Sequence, residues 1–353
     1  MKALNINLTH KTYPIYIKKG LMNSIGEEIK KIYAGKNIVI VSDKNVWRFY
    51  GDKLVENLNN SSFKVNKIVV EPGEKSKSFD VLLNIYNKLL DFGVIRGDLI
   101  IALGGGVIGD LTGFAAATFL RGIPFIQIPT SLLAQIDSSI GGKVAIDLNR
   151  GKNLVGNFYH PEAVFIDSDV LSTLDDRYLY DGMAEVIKYA CIKDEKLFYR
   201  LLSYNSKEEL IKNMDYIIET CCNVKKEVVE RDEKDIGDRM ILNFGHTIGH
   251  AIEKYFNFEK YTHGEAVALG MYSITKKSEE LGLTEKGVSE NIAKMLKKYN
   301  LQYEIDIENK DTILEAIGVD KKNSGKFINI IILKKIGEGF IHKIERKEIN
   351  KFI

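Results

Sequence analysis

The sequence predicts an α/β protein of two domains: a doubly wound, mainly parallel sheet in the N-terminal half and a mainly α-helical C-terminal half. Three observations carry this. Short apolar runs without polar alternation recur in the first half, each followed by a segment of helical spacing, as in parallel strands buried on both faces. A glycine-rich turn falls between one such strand and its helix. From Leu171 to Leu296 the helical period then runs almost without interruption. At 353 residues the chain exceeds one ordinary core. The change of pattern near Thr173–Tyr180 places the expected domains at 1–175 and 176–353.

Tyr13–Ile17 alternates like an edge strand. Strands follow at Asn37–Val41, Val65–Val70, Leu99–Leu103 and Phe125–Ile128, with helices at Val46–Leu58, Val81–Phe92 and Val107–Leu120 between them. Right-handed crossovers would wind these into one sheet, whose ligands lie at the carboxyl ends of the strands. In the second half Lys207–Glu230 reads as one long amphipathic helix, and Lys326–Leu333 as a strand that Phe340–Ile344 can pair with.

Composition excludes several classes. Hydrophobic content of 45% with 28% charged residues is that of a globular chain. A net charge of +2 gives neither a nucleic-acid face nor a polybasic membrane patch, and no apolar run reaches membrane-spanning length. The stretch MKALNINLTHKTYPIYIKKG lacks the apolar core of a signal peptide. Cys191, Cys221 and Cys222 have no zinc-ribbon or redox spacing, and their odd number argues for reduced thiols in a cytoplasmic protein.

Chemistry-bearing residues cluster in a few places. In GGGVIGD, Gly104, Gly106 and Gly109 fit G-x-G-x-x-G between strand and helix, so backbone N–H groups can approach a pyrophosphate. The acidic residue expected about twenty positions later is absent, and Asp43 could hold a ribose in its place. Glu74 and Lys77 of the EPGEKSK turn can reach the same ligand. Thr130 and Ser131 are placed to cap a helix or contact phosphate. Asp137, Lys143, Lys152 and Asn153 lie in or beside glycine-rich turns and would line a cleft. In RMILNFGHTIGHAIEKYFNFEKYTHGEA, His246 and His250 project from one helical face and His263 opens the next helix. Converging imidazoles suit zinc, although Thr247 stands where His-Glu-x-x-His has its glutamate.

The runs ALGGGVIGDLTGFAAATFLRG, IPTSLLAQIDSSIGGK, RGKN, GMAEVIKY, LNFGHTIGHAIE and HGEAVALGM, in this order, resemble the 3-dehydroquinate synthase family of sugar phosphate cyclases, and the likeness spans roughly Val39 to Leu333. The resemblance implies a Rossmann-like N-terminal domain that binds NAD and a helical C-terminal domain that holds zinc, with cobalt an alternative. It also implies a homodimer, with 3-deoxy-D-arabino-heptulosonate 7-phosphate bound in the cleft between the domains. The metal ligands would be Glu185, His246 and His263. NAD contacts would fall to Asp43, Asn45, Glu74, Lys77, Gly105, Gly106, Asp110, Thr130, Ser131, Lys152 and Asn153. Substrate contacts would fall to Asp137, Lys143, Lys188, Lys225, Arg239, Asn243 and His250, with Arg121 reaching across the dimer interface. Lys321 or Lys322 would close the site.

The chain departs from the family pattern at Ser131, which replaces a commoner Thr, at VAIDL around Asp147, and at STLDDRY, which lacks a frequent Pro. The implied reaction oxidises the substrate transiently with NAD, eliminates phosphate, returns the hydride and closes a carbocycle by intramolecular aldol addition. Lys143, Lys188, Lys225, Arg239 and Arg121 suit a substrate bearing phosphate and carboxylate, Arg239 being the bidentate partner of the carboxylate. Two other functions compete. A related cyclase of the 2-deoxy-scyllo-inosose synthase kind would keep NAD and metal but alter the hydroxyl and anion contacts. A metal-dependent polyol dehydrogenase would release NADH and need fewer anion-binding residues.

Overall fold

A computed structural model describes residues 2–305, 310–318 and 326–353. The expected lysines Lys321 and Lys322 lie outside these residues. The described chain divides into two compact units, Met1–Asp175 with Lys225–Lys234, and Asp176–Val224 with Asp235–Ile353.

The first unit is built on strands β1 (Lys2–Asn7), β2 (Thr12–Ile17), β3 (Asn37–Asp43), β4 (Lys64–Val70), β5 (Leu99–Gly104), β6 (Phe125–Pro129) and β9 (Ala163–Ile166), in the order β1-β2-β9-β6-β5-β3-β4. Only the β1–β2 pair is antiparallel. Tyr13–Ile17 is therefore not an edge: β1 covers it, because Lys2–Asn7 pairs with it residue for residue through a tight turn. The continuous apolar runs follow from burial on both faces. Ile38, Ile40, Leu99, Ile101 and Leu103 pack against α1 (Ile25–Lys30) and α3 (Asp52–Asn60). Val39, Val41, Ile100 and Ala102 face the opposite side, toward α4 (Phe79–Asp91) and α5 (Gly106–Thr118). The short helix α2 (Lys44–Val46) runs through a π-turn into α3. Between β6 and β9 the chain makes a hairpin, β7 (Lys143–Leu148) and β8 (Gly151–Phe158). Lys143, Lys152 and Asn153, expected in turns, stand on these strands.

The second unit contains α6 (Asp176–Lys193), α7 (Glu195–Ser203), α8 (Lys207–Lys212), most of α9 (Met214–Arg231), α10 (His246–Tyr255), α11 (His263–Glu280), α12 (Val288–Lys298) and α13 (Lys310–Ala316). The expected single helix over Lys207–Glu230 is two, broken at Asn213, whose side chain turns back onto the Glu209 carbonyl at 2.8 Å. Strands β10 (Phe327–Lys335) and β11 (Glu338–Glu345) pair as expected, and the Gly337 N–H at their turn donates to the Cys191 carbonyl of α6 at 2.8 Å. Cys191, Cys221 and Cys222 are buried and none is in a disulfide. Among the described residues no helix is long and apolar enough to cross a membrane.

Candidate active site

Helix α6 is buried along most of its length and carries Glu185 at its middle, while His246 and His263 open α10 and α11. Glycines let these helices meet. A Cβ on Gly270 of α11 would overlap the Gly245 carbonyl before α10, and one on Gly264 would overlap the Asp181 carbonyl of α6. The Gly264 N–H also donates to Asp181 Oδ1 at 2.6 Å, fixing the start of α11 against α6. Backbone approach this close is what brings the three side chains together.

Glu185 Oε1 lies 3.6 Å from His246 Nε2 and 3.7 Å from His263 Nε2. Ligand atoms about 2 Å from one tetrahedral ion are roughly 3.3 Å apart, so the set needs only a small contraction. Oε1 is buried and accepts no hydrogen bond, whereas Oε2 pairs with Lys188 Nζ. A buried carboxylate oxygen without a donor is costly, and a cation between it and the imidazoles removes that cost. The rings are already aimed. His246 Nδ1 faces the Phe244 carbonyl at 3.1 Å and His263 Nδ1 faces Glu253 Oε2 at 3.5 Å, so each presents Nε2 inward. The donor set fits a divalent metal.

Burial, reinforced by the Lys188 ammonium and the other two imidazoles, pushes His246 well below the ordinary imidazole range. His263 moves the other way: burial disfavours its charge, but Glu253 and Glu185 outweigh it. Glu253, which is 4% exposed, was not among the expected site residues. Its signal was present in the spacing, since positions 246, 250 and 253 fall on one helical face. The His250 ring completes the group, with its centroid 5.3 Å from that of His246 and 5.8 Å from that of His263. Arg239 is buried in the 3-10 turn Asp238–Asn243, and Asn243 is exposed at its end.

In the first unit most of the expected cofactor residues stand at or just beyond the carboxyl ends of β3, β4, β5 and β6, where the strand order reverses between β3 and β5, while Lys152 and Asn153 stand on the β7–β8 hairpin. Asp43 Oδ1 accepts from Asn45 N at 2.8 Å and Val46 N at 3.1 Å, so one of its oxygens is committed to capping α2. Gly105 and Gly106 open α5, and a Cβ on Gly106 would stand 3.0 Å from Ser138 Oγ. Gly109 serves packing, because a Cβ there would come within 2.7 Å of Gln127 Oε1 on β6. Thr130 N donates to the Gly104 carbonyl at 3.0 Å, and Ser131 Oγ caps the next turn through Ala134 N at 3.3 Å. Lys77 is 4% exposed and pairs with Asp110 Oδ2 at 2.8 Å, with Asn153, and with Glu74 at 3.7 Å. Burial raises the Asp110 carboxyl despite the lysine beside it. Asp147 receives the Asn153 N–H at 2.7 Å and donates its own to the Lys77 carbonyl at 2.8 Å, which ties the hairpin to this cluster. Lys225 Nζ donates to the Asp137 carbonyl at 2.7 Å and pairs with its carboxylate. Burial raises the Glu74 carboxyl against the pull of the Lys77 and Lys152 ammonium groups, which places Lys152 beside the same cluster. Arg121 stands apart after α5, where Leu120 (φ 51°) and Arg121 (φ 68°) are both left-handed.

Over nearly its whole length the chain has the fold of solved sugar phosphate cyclases. A 2-deoxy-scyllo-inosose synthase superposes with TM-score 0.86 at 26% identity, over 100% of this chain and 99% of that one. The 2-epi-5-epi-valiolone synthase of Streptomyces hygroscopicus, solved with NAD+ and Zn2+, superposes with TM-score 0.87 at 23% identity, over 98% and 96%. Residues 67–181 match the 3-dehydroquinate synthase N-terminal family model, and residues 182–323 the 3-dehydroquinate synthase C-terminal model. The 3-dehydroquinate synthase of Clostridium botulinum is 60% identical over 97% of each chain, and that of Clostridium acetobutylicum 57% identical over 100% of this chain and 99% of that one. The chain belongs to the 3-dehydroquinate synthase family.

Proposed function

We propose that the chain converts 3-deoxy-D-arabino-heptulosonate 7-phosphate to 3-dehydroquinate and phosphate, with NAD held by the first unit and zinc or cobalt by the second. Beside family membership, the observation that carries this is Glu185 Oε1, buried without a donor and facing two imidazole nitrogens. When bound, the metal supplies Lewis acidity toward substrate hydroxyls and NAD a reversible hydride acceptor.

The chain's own residues then have distinct tasks. Glu185, His246 and His263 ligate, and Glu253 and the Phe244 carbonyl orient the imidazoles. Lys188, fixed on Glu185 Oε2, puts a cation beside the reacting hydroxyls, and Arg239 offers its fork to the substrate carboxylate. His250 is exposed beside both ligand rings and can take or return a proton, with Asn243 orienting a hydroxyl. The Asp137–Lys225 pair and Lys143 complete the polar contacts to the substrate, which needs cations for its phosphate. The turn at Gly105–Gly106 and the start of α5 receive the NAD pyrophosphate, with Thr130, Ser131 and Lys152 alongside. Asp43 and Asn45 hold a ribose, and the Glu74–Lys77–Asp110–Asn153 cluster supports the remainder. A homodimer, with Arg121 reaching the partner's substrate, and a reducing cytoplasmic setting belong to the same reading; the three thiols, none of them in a disulfide, are in keeping with the second.

The test offers the protein the heptulosonate phosphate and, in parallel, a hexose 6-phosphate, each with zinc and catalytic NAD. Formation of 3-dehydroquinate from the first alone supports the reading; turnover of the hexose phosphate alone reassigns the chain to inosose-type cyclisation.

A further inference from the structure

A second cluster of ligand-type side chains lies in the first unit, in three loops far apart in sequence. His10 stands in the turn between β1 and β2, His160 follows β8, and Glu233 follows α9. His160 Nε2 is 3.1 Å from Glu233 Oε1, and His10 Nδ1 is 3.5 Å from Glu233 Oε2. One ligand atom from each of the three residues falls within 4.8 Å of the others.

His160 is held in place. Its carbonyl accepts from Lys11 Nζ at 2.9 Å, its ring lies 5.6 Å from that of Tyr13, and it fills the space of the absent Gly142 side chain, where a Cβ would come within 2.6 Å of the ring. Its Nδ1 is buried without a partner, so nothing on that side selects a tautomer. Changing Nε2 from donor to metal ligand therefore disturbs only the bond to Glu233. His10 is 58% exposed and leaves an open side through which a cation and its waters can enter. Two lysines oppose a cation. Lys11 is turned onto Glu162 at 2.8 Å, and Lys234, 3.2 Å from Glu233 Oε1, is exposed enough to move away.

We propose that His10, His160 and Glu233 form a second divalent-metal site, which staples the β1–β2 turn and the end of α9 to the chain after β8. Two imidazoles and one carboxylate select a transition ion such as zinc over magnesium or calcium.

The test counts metal on the full chain after chelator stripping and dialysis against micromolar zinc. The wild type is expected to hold roughly two zinc ions and the His10→Ala and Glu233→Gln chains roughly one, with turnover unchanged in His10→Ala. A Glu185→Gln chain is expected to keep the ion held by His10 and Glu233. Equal zinc in wild type and His10→Ala, or a Glu185→Gln chain that retains none, would each overturn the proposal.

Discussion

Glu185 has two oxygens in two situations: Oε2 is neutralised by Lys188 within one helical turn, and Oε1 faces imidazoles with no donor. The pair is fully buried, so in the metal-free protein Lys188→Met leaves a carboxylate uncompensated. A loss of about 3–5 kcal/mol in unfolding free energy is expected, and chemical denaturation of stripped protein measures it. Glu253 acts through His263 and touches no substrate in this account. Glu253→Gln is expected to weaken zinc binding about 10–100-fold while leaving NAD binding as it was, read by competition with a chromogenic chelator. Much of this was legible at the residue level. The motif runs pointed to Glu185, His246 and His263, and the i, i+4 spacing put His246 and His250 on one face. The same spacing puts Glu253 on the face of His246 and His250, but its task, orienting His263 of the next helix, depends on the tertiary approach of α10 and α11.

Helices α10 and α11 can carry converging histidines because Gly245 and Gly270 let their backbones touch. Gly270→Ala changes no ligand, yet it must push the helices apart. The expected result is a destabilisation of about 1–3 kcal/mol with loss of retained zinc, checked by thermal unfolding and metal content. At its other end α11 caps its successor, since Glu279 accepts from Gly287 N at 2.7 Å and Ser289 N at 2.8 Å at the start of α12. Partial burial works against the Glu279 carboxylate, but these N–H groups outweigh it and hold the carboxyl below its usual 4.5. A lowered folded value stabilises fully above 4.5 and loses that contribution as the pH falls through the lower value. Glu279→Gln should therefore cost about 0.5–2 kcal/mol at neutral pH and flatten the acid limb of a stability profile. Element types were legible wherever burial was one-sided or complete, as in the all-buried β5 and β6. The break at Asn213 was not, because a side-chain bond to the Glu209 carbonyl ends α8 inside an unbroken apolar period. The β7–β8 hairpin was hidden by its glycines, which read as turns although they lie on or beside strands.

At the scale of the whole chain, the doubly wound sheet sets out the proposed nucleotide residues along the strand ends, and the helical unit supplies a carboxylate–imidazole centre. The parallel sheet was implicit in the alternation of strand and helix, but β1 and β9 were not legible, since β1 pairs only with β2 and the four residues of β9 gain their place by pairing with both β2 and β6. The central claim is a reaction with internal hydride return, which needs both ligand sets and no net oxidation. Phosphate release from the heptulosonate phosphate, followed together with NADH absorbance, tests it most directly. The account predicts stoichiometric phosphate with no accumulating NADH, abolished by chelator and by His246→Ala. NADH that accumulates with turnover, and no phosphate released, would contradict it and mark the chain as a dehydrogenase.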